Sequence, residues 1–221
     1  MKNEPKILLV YPPNQLLDIE TPRPDGSLGL LYLAGALELA GFETNILDMS
    51  VGPPNVDLKD TFYNVIKQEN GLIRIGMSQA QIKEYIVSGG YNIIGINSNF
   101  TSQTNMALEV ASIAKNINQN IIVIVGGVNA RNMASYFFNS GNVDIICLTE
   151  GEKILVAFVE AIARGESFDN LSGIIYKKKG KLIQHPVAPN DIHIDLDNLP
   201  FPAWHKLPFG HYDKISSPHG V

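Results

Sequence analysis

Nine consecutive residues, Asn97-Ser98-Asn99-Phe100-Thr101-Ser102-Gln103-Thr104-Asn105, carry eight amide or hydroxyl side chains and no formal charge. Such a stretch offers many neutral donors and acceptors but neither a carboxylate nor a cation. A helix starting behind it would add free backbone N–H groups. The chemistry this suits is recognition of a large, amide- or hydroxyl-rich, weakly anionic ligand. The competing reading is a loop that only caps its helix, as Ser, Thr and Asn do routinely. Three other stretches bear on the same question. Gly126-Gly127-Val128-Asn129 lets something approach the backbone closely, or simply makes a tight turn. Thr149-Glu150-Gly151-Glu152 puts acid where a helix begins, and capping is the simpler account of it. Tyr11-Pro12-Pro13-Asn14 opens a loop running through Pro22, Pro24, Asp25 and Gly26, longer than a plain connection needs. Neither a G-x-G-x-x-G fingerprint nor a phosphate-loop lysine accompanies any of these, which disfavours nucleotide binding of those two kinds.

The residues of nucleophilic and metal chemistry stand elsewhere. All five histidines, His185, His193, His205, His211 and His219, fall in the last 37 residues. A Ser-His-Asp triad, a Cys-His pair or a histidine metal site in the first 184 residues is therefore excluded. The one cysteine, Cys147, excludes internal disulfides and multi-cysteine metal sites, and its apolar flanks mark it as an inert core residue. Where a phosphoacceptor aspartate would end a third strand, the chain has Asn97 and Ser98. No catalytic residue and no metal ligand is assigned; this is a binder rather than a catalyst.

Elements that could position these loops follow from periodicity. Short β-rich runs at Ile7–Tyr11, Thr44–Asp48, Ile93–Ile96, Ile121–Val125 and Asp144–Leu148 read as buried strands. Between them lie helical patterns at 28–41, 57–69, 78–88, 104–116 and 153–164. Strands alternating with helices predict an α/β domain with a doubly wound, five-stranded parallel sheet of flavodoxin-like (Rossmann-like) order over residues 1–170. In that order ligands bind beyond the carboxyl ends of the strands, between the first and third. Residues 171–184 read as a small β-hairpin, with Lys177-Lys178-Lys179-Gly180-Lys181 as its solvated turn. Residues 185–221, rich in Pro and Gly, read as an extended linker.

Seventeen basic residues against 22 acidic ones leave a net charge of −5, which gives no footprint for nucleic acid or an anionic membrane. The longest apolar run, Leu28 to Leu37, is far short of the ~20 residues that span a bilayer. Only the four-residue apolar run Ile7-Leu8-Leu9-Val10 precedes Tyr11-Pro12-Pro13, too short for a secretory signal core. A cytoplasmic location is expected. Charged residues make up 18% of the chain, below the usual ~25%, which leaves room for a face that meets another domain.

Several segments together resemble the N-terminal half of cobalamin-dependent radical SAM enzymes. They are Ile7-Leu8-Leu9-Val10-Tyr11-Pro12-Pro13, Ser27 to Leu37, Ala40-Gly41-Phe42-Glu43, Gly95-Ile96-Asn97-Ser98, Val125-Gly126-Gly127, Glu150-Gly151-Glu152, and the tail from Asp195 to Trp204. The resemblance implies a cobalamin-binding module whose 185–221 segment leads to a radical SAM barrel of the same parent chain. S-adenosylmethionine and an iron–sulfur cluster would belong to that barrel, because Cys147 alone cannot hold a cluster. The parent is expected to be a methyltransferase using methylcobalamin and S-adenosylmethionine. Residue by residue, the resemblance places Ser98, with Asn99 and Thr101 of its loop, against the cobalamin nucleotide tail. Gly126, Gly127 and Val128 would lie along the tail, Glu150 and Gly151 would close its far side, and Tyr11, Pro12 and Pro13 would stand near the corrin. The D-x-H-x-x-G motif that supplies a lower axial histidine is missing, so cobalamin is expected base-off with no protein histidine on cobalt. Three alternatives stay open: a flavodoxin-like binder of a flavin or nucleotide, a stand-alone corrinoid carrier, and a transferase that acts alone through His205 or His211.

Overall fold

The computed structural model describes residues 5–22, 26–192 and 195–215. Of the features singled out above, Pro24, Asp25, His193, His219 and the last part of the 185–221 segment lie outside the described residues. In chain order the elements are strand β1 (Ile7–Tyr11), β2 (Asn14–Leu16), helix α1 (Leu28–Leu39), β3 (Thr44–Asp48), β4 (Ile66–Lys67), β5 (Ile73–Ile75), α2 (Gln79–Gly89), β6 (Ile93–Asn97), α3 (Thr104–Ile117), β7 (Ile122–Gly126), α4 (Val128–Asn132), α5 (Ala134–Asn139), β8 (Ile145–Cys147), α6 (Gly151–Arg164), β9 (Ile174–Lys178), β10 (Lys181–His185) and α7 (Phe209–Lys214).

β-branched strands buried on both faces dictate a parallel sheet with helices on each side. Strands β3, β1, β6, β7 and β8 lie side by side and parallel. The sheet does not stop at five strands. β9 pairs antiparallel with β8, and β10 with β9, giving a mixed sheet of seven in the order β10-β9-β8-β7-β6-β1-β3. The hairpin is thus the continuation of the sheet and not a separate appendage. Its inward residues Ile174 and Tyr176 are buried with the main core, and that burial fixes it there. Side chains alternate along each strand. Leu8, Val10, Ile94, Ile96, Val123 and Val125 meet α2, α3 and α5, while Ile7, Leu9, Ile93, Ile124, Ile145 and Cys147 meet α1 and α6.

The helix predicted over 57–69 does not form. Residues 58–60 make one 3-10 turn, and β4 and β5 run as a short hairpin that joins β2 in a second, three-stranded antiparallel sheet. Asn70-Gly71 drives this outcome. Gly71 sits at φ 80, Gln68 N–H donates to Leu72 O at 2.8 Å, and the Asn70 side chain accepts from Leu72 N–H at 3.0 Å. An Asn-Gly pair between apolar runs is a hairpin signal stronger than the weak helical period around it. The small sheet caps a third core cluster of Val51, Leu58, Phe62, Ile73, Ile75 and Tyr212. Its Arg74 guanidinium ties it to α3, donating to Glu109 Oε1 at 2.6 Å and to Met77 O at 2.6 Å, largely out of solvent.

The described part of the tail packs on the α/β domain. Ala203 N–H donates to Leu31 O at 3.0 Å, and the Phe201 carbonyl lies 2.3 Å from where a β-carbon on Gly35 would stand. Only a glycine on α1 admits that approach. Further on, the short α7 buries Tyr212, whose hydroxyl donates to Asp48 Oδ2 at 2.8 Å. Lys206 and His205 both reach Glu38, at 2.7 and 3.1 Å.

A glycine-floored cleft under the strand ends

At the carboxyl edge of the parallel strands, on the α1/α6 face, lies a cleft of about 250 Å³. Its position follows from the alternation of β-strands. Leu9, Gly95, Asn97, Ile124, Gly126 and Cys147 all point to this face, and two of them lack a side chain. The floor is therefore low where its neighbours are filled. Gly29, Leu30 and Leu33 of α1 make one wall. Thr149, Glu150, Gly151, Glu152 and Leu155, at and after the start of α6, make the other. A β-carbon on Gly126 would meet nothing within 4 Å, so that position opens directly into the empty space. At Gly95 the same addition would meet only the end of the Leu9 side chain, at 2.7 Å.

The lining is mostly apolar, with a few polar groups at its mouth, as small-molecule sites are built. Two of those groups are buried without a partner among the described residues: Asn97 Oδ1 and Glu152 Oε2. Among the described residues no lysine or arginine lines the cleft. A free phosphate monoester, with two charges to balance, would find carboxylates at Glu150 and Glu152 and, among the described residues, no cation. A flat, nearly neutral body carrying hydroxyl donors fits better. Burial pushes the Cys147 thiol up to about 12, so it stands in the wall as a neutral group.

Of the residues singled out from the sequence, the fold brings Asn99, Gly126, Gly127, Glu150 and Gly151 to this cleft. Ser98 lies just beneath. It is fully buried, its N–H donates to Gly126 O at 2.8 Å, and its hydroxyl accepts from the Asn129 amide at 2.8 Å. Ser98 thus joins β6 to β7 and α4 and does not line the opening. Gly127 adopts φ 109, with the Ser98 carbonyl 2.4 Å from where its β-carbon would be, which requires glycine. Val128 and Thr101 are exposed at the rim beside Phe100. Pro12 and Pro13 are buried, and Tyr11 borders a separate pocket on the other side of the 97–103 loop. Cys147 is a wall of the site, where the sequence suggested only inert core. Asn97, Glu152, Gly29, Leu33 and Gly95 stood in segments noted above but were not assigned to the site. Strand alternation, by which Asn97 shares the face of Gly95, was the signal that could have assigned the first and last. Neither His205 nor His211 lines the cleft: His205 is bonded to Glu38, and His211 borders another pocket with Tyr63 and Lys214.

Fold and cleft together define a doubly wound ligand-binding domain whose site is an apolar slot under the strand ends rather than a phosphate loop. The B12 binding domain pattern matches residues 26–159, and the chain belongs to that family. It is 26% identical to cytidylyl-2-hydroxyethylphosphonate methyltransferase of Streptomyces wedmorensis, over 96% of this chain and 42% of that protein. With an uncharacterized methyltransferase of Pyrococcus horikoshii it shares 28% identity, over 98% of this chain and again 42% of the relative. The chain therefore spans less than half the length of these curated relatives. Its fold matches that of the cobalamin-dependent S-adenosylmethionine radical enzyme OxsB with aqua-cobalamin bound (TM-score 0.70, 21% identity, 96% of this chain and 26% of that one). It also matches the radical S-adenosylmethionine methyltransferase TsrM of Kitasatospora setae with cobalamin and a [4Fe-4S] cluster bound (TM-score 0.61, 19% identity, 82% of this chain and 30% of that one). Among the described residues no helix is long and apolar enough to cross a membrane, and no group of three His, Cys, Asp or Glu could hold a metal ion.

Proposed function

We propose that this chain binds cobalamin, with the nucleotide tail in the glycine-floored cleft, as the corrinoid-binding part of a longer radical SAM methyltransferase. The observation that carries the reading is the cleft itself, with open space above Gly126 and no cation in its lining among the described residues. A flavin mononucleotide or a free nucleotide would bring an uncompensated phosphate into the same space. The tail of cobalamin is a phosphodiester with a single charge, joined to a flat base and a ribose. Asn97 Oδ1 and the Glu150 and Glu152 carboxylates would accept from ribose hydroxyls, while Leu9, Leu30, Leu33, Ile124 and Leu155 would enclose the base. Leu28, Phe100 and Val128, each adjacent in sequence to a residue of the cleft, are exposed and would offer apolar surface to a macrocycle.

Bound cobalamin supplies a cobalt centre able to carry a methyl group, and the protein supplies its placement. The histidine-free sequence before His185 supports binding with no protein histidine on cobalt, and a tail held in the cleft would keep its base away from the metal, the base-off form. His185 itself is bonded to Leu171 O and stacked edge-on against Tyr176, far along the hairpin. Titration of the chain with methylcobalamin and hydroxocobalamin, followed by desalting, tests the assignment. Retained colour with a base-off absorption spectrum is the expected result. The bound Co(II) form should show no axial nitrogen coupling by electron paramagnetic resonance, and such coupling overturns the ligand-free assignment. The radical SAM partner is tested by the reading frame that encodes the chain, which should carry a cluster of three cysteines.

A further inference from the structure

A second pocket, of about 230 Å³, lies across the 97–103 loop from the cleft. Tyr11, Asn14, Gln15, Ser102 and Gln103 contribute to its lining, and no charged side chain among the described residues does so. The two openings share one wall: Asn99 faces the cleft, while Phe100, Ser102 and Gln103 face the pocket. Strand β1 contributes to both, Leu9 to the cleft and Tyr11 to the pocket.

Gln103 is the unusual member. It is 5% exposed, and its Oε1 accepts from Asn99 N–H at 2.8 Å and from Phe100 N–H at 3.1 Å. Those two bonds fix which end of the amide is oxygen, so the nitrogen end is not interchangeable with it. The Nε2 group is buried and has no partner among the described residues. A buried donor left unpaired is costly, and an incoming carbonyl oxygen would satisfy it. Gln15 cannot serve in the same way, because its amide is already engaged by Gln68 and Asn105. A neutral polar pocket asks for a ligand group that both donates and accepts without charge, which describes a primary carboxamide.

We propose that this pocket is a subsite for a carboxamide arm of the corrin ring, read by the Gln103 side-chain N–H. The proposal rests on the cobalamin assignment above. The corrin periphery carries acetamide and propionamide arms on every side, so a ring over the tail cleft brings one to this pocket. Gln103 is then a specificity residue for the macrocycle and independent of the tail.

The test titrates the wild-type chain and Gln103→Glu with cobalamin and with dicyanocobinamide, which keeps the amide arms but lacks the nucleotide tail. A glutamate still accepts from the Asn99 and Phe100 N–H groups, so the loop keeps its shape while the donor is lost. Weakening of both corrinoids by a common factor of roughly 3- to 10-fold is expected, the loss of one hydrogen bond. In the wild-type chain the Gln103 side-chain amide resonances should also shift on adding either Co(III) corrinoid, which needs no variant to fold. Unchanged affinities together with unmoved resonances overturn the subsite while leaving the cobalamin reading intact. Failure of the wild-type chain to bind either corrinoid overturns both.

Discussion

Two adjacent glycines should respond in opposite ways to the addition of a side chain. At Gly126 a β-carbon has nothing within 4 Å and the backbone lies outside the left-handed region. The residue ends strand β7, where valine is well tolerated. Gly126→Val should therefore leave stability unchanged or raise it by up to about 1 kcal/mol, a change in Tm of about 2–4 °C at most. The added groups must go into the cleft. Three carbons at roughly 30 Å³ each, the liquid volume of one water, take over a third of its 250 Å³. Forcing a ligand past that overpacking costs about 1–3 kcal/mol, or about 5- to 150-fold in Kd for cobalamin. Dicyanocobinamide, having no tail, should bind as before. Gly127→Ala should do the reverse. Its β-carbon falls 2.4 Å from Ser98 O and 2.6 Å from Asn99 Oδ1 at φ 109. Strain of about 1–3 kcal/mol corresponds to a loss of about 2–12 °C in Tm. Thermal melts followed by circular dichroism and absorbance titrations with the two corrinoids separate the effects. Wild-type cobalamin affinity in a stably folded Gly126→Val would refute the assignment of the tail to this cleft.

Cys147 is the sole thiol and lines the cleft, so aromatic disulfide reagents report directly on it. With its pKa raised to about 12 by burial, labelling at pH 8 should run much more slowly than for a free cysteine. Bound cobalamin should slow it further, and labelling unaffected by cobalamin would count against the cleft. Glu109→Ala strands the buried Arg74 guanidinium and should cost about 3–5 kcal/mol, lowering Tm by roughly 6–20 °C; a shift under 3 °C would show the pair to be dispensable. Although partial burial alone would raise the Glu38 carboxyl, hydrogen bonds from Lys206 and His205 outweigh it and hold the pKa below the usual carboxylate range. An acid lowered in this way stabilises the docked tail above about pH 4.3 and loses that contribution as pH falls through its own pKa. Solvent screening keeps the contribution within about 1 kcal/mol. Emission from Trp204, the only tryptophan, should red-shift in that acid range in the wild-type chain, and Glu38→Gln should flatten the transition.

The parallel strands were legible because most are short runs rich in β-branched residues and buried on both sides, a pattern that helices rarely imitate at that length. The 57–69 segment misled because its charged and apolar residues permit a helical reading. The deciding information is the Asn70-Gly71 turn, together with the pairing of β5 to β2, some sixty residues earlier in the chain. Pairing over such separations leaves no local trace. At the site, Gly126, Gly127, Glu150 and Gly151 were readable from their types and their places after strands. The bonding that retires Ser98 from the opening was not, since it depends on Asn129 folding back 31 residues later. Gln103 was visible only as one more polar residue in a polar loop, and its unpaired nitrogen emerges once the loop is closed.

The hairpin that extends the sheet leaves β10 as the outermost strand, with a row of backbone groups facing outward. An unguarded edge of that kind recruits the edge of another molecule. Here Lys177, Lys178, Lys179 and Lys181 gather at its tip, and Leu182, half-exposed, is the one large apolar side chain turned outward on β10. Like charges brought face to face would repel two such edges, so the lysine-rich turn acts as a gatekeeper against intermolecular strand pairing. Colloidal behaviour should follow from this: acetylating these lysines, or screening them with molar salt, removes the repulsion and invites association through β10.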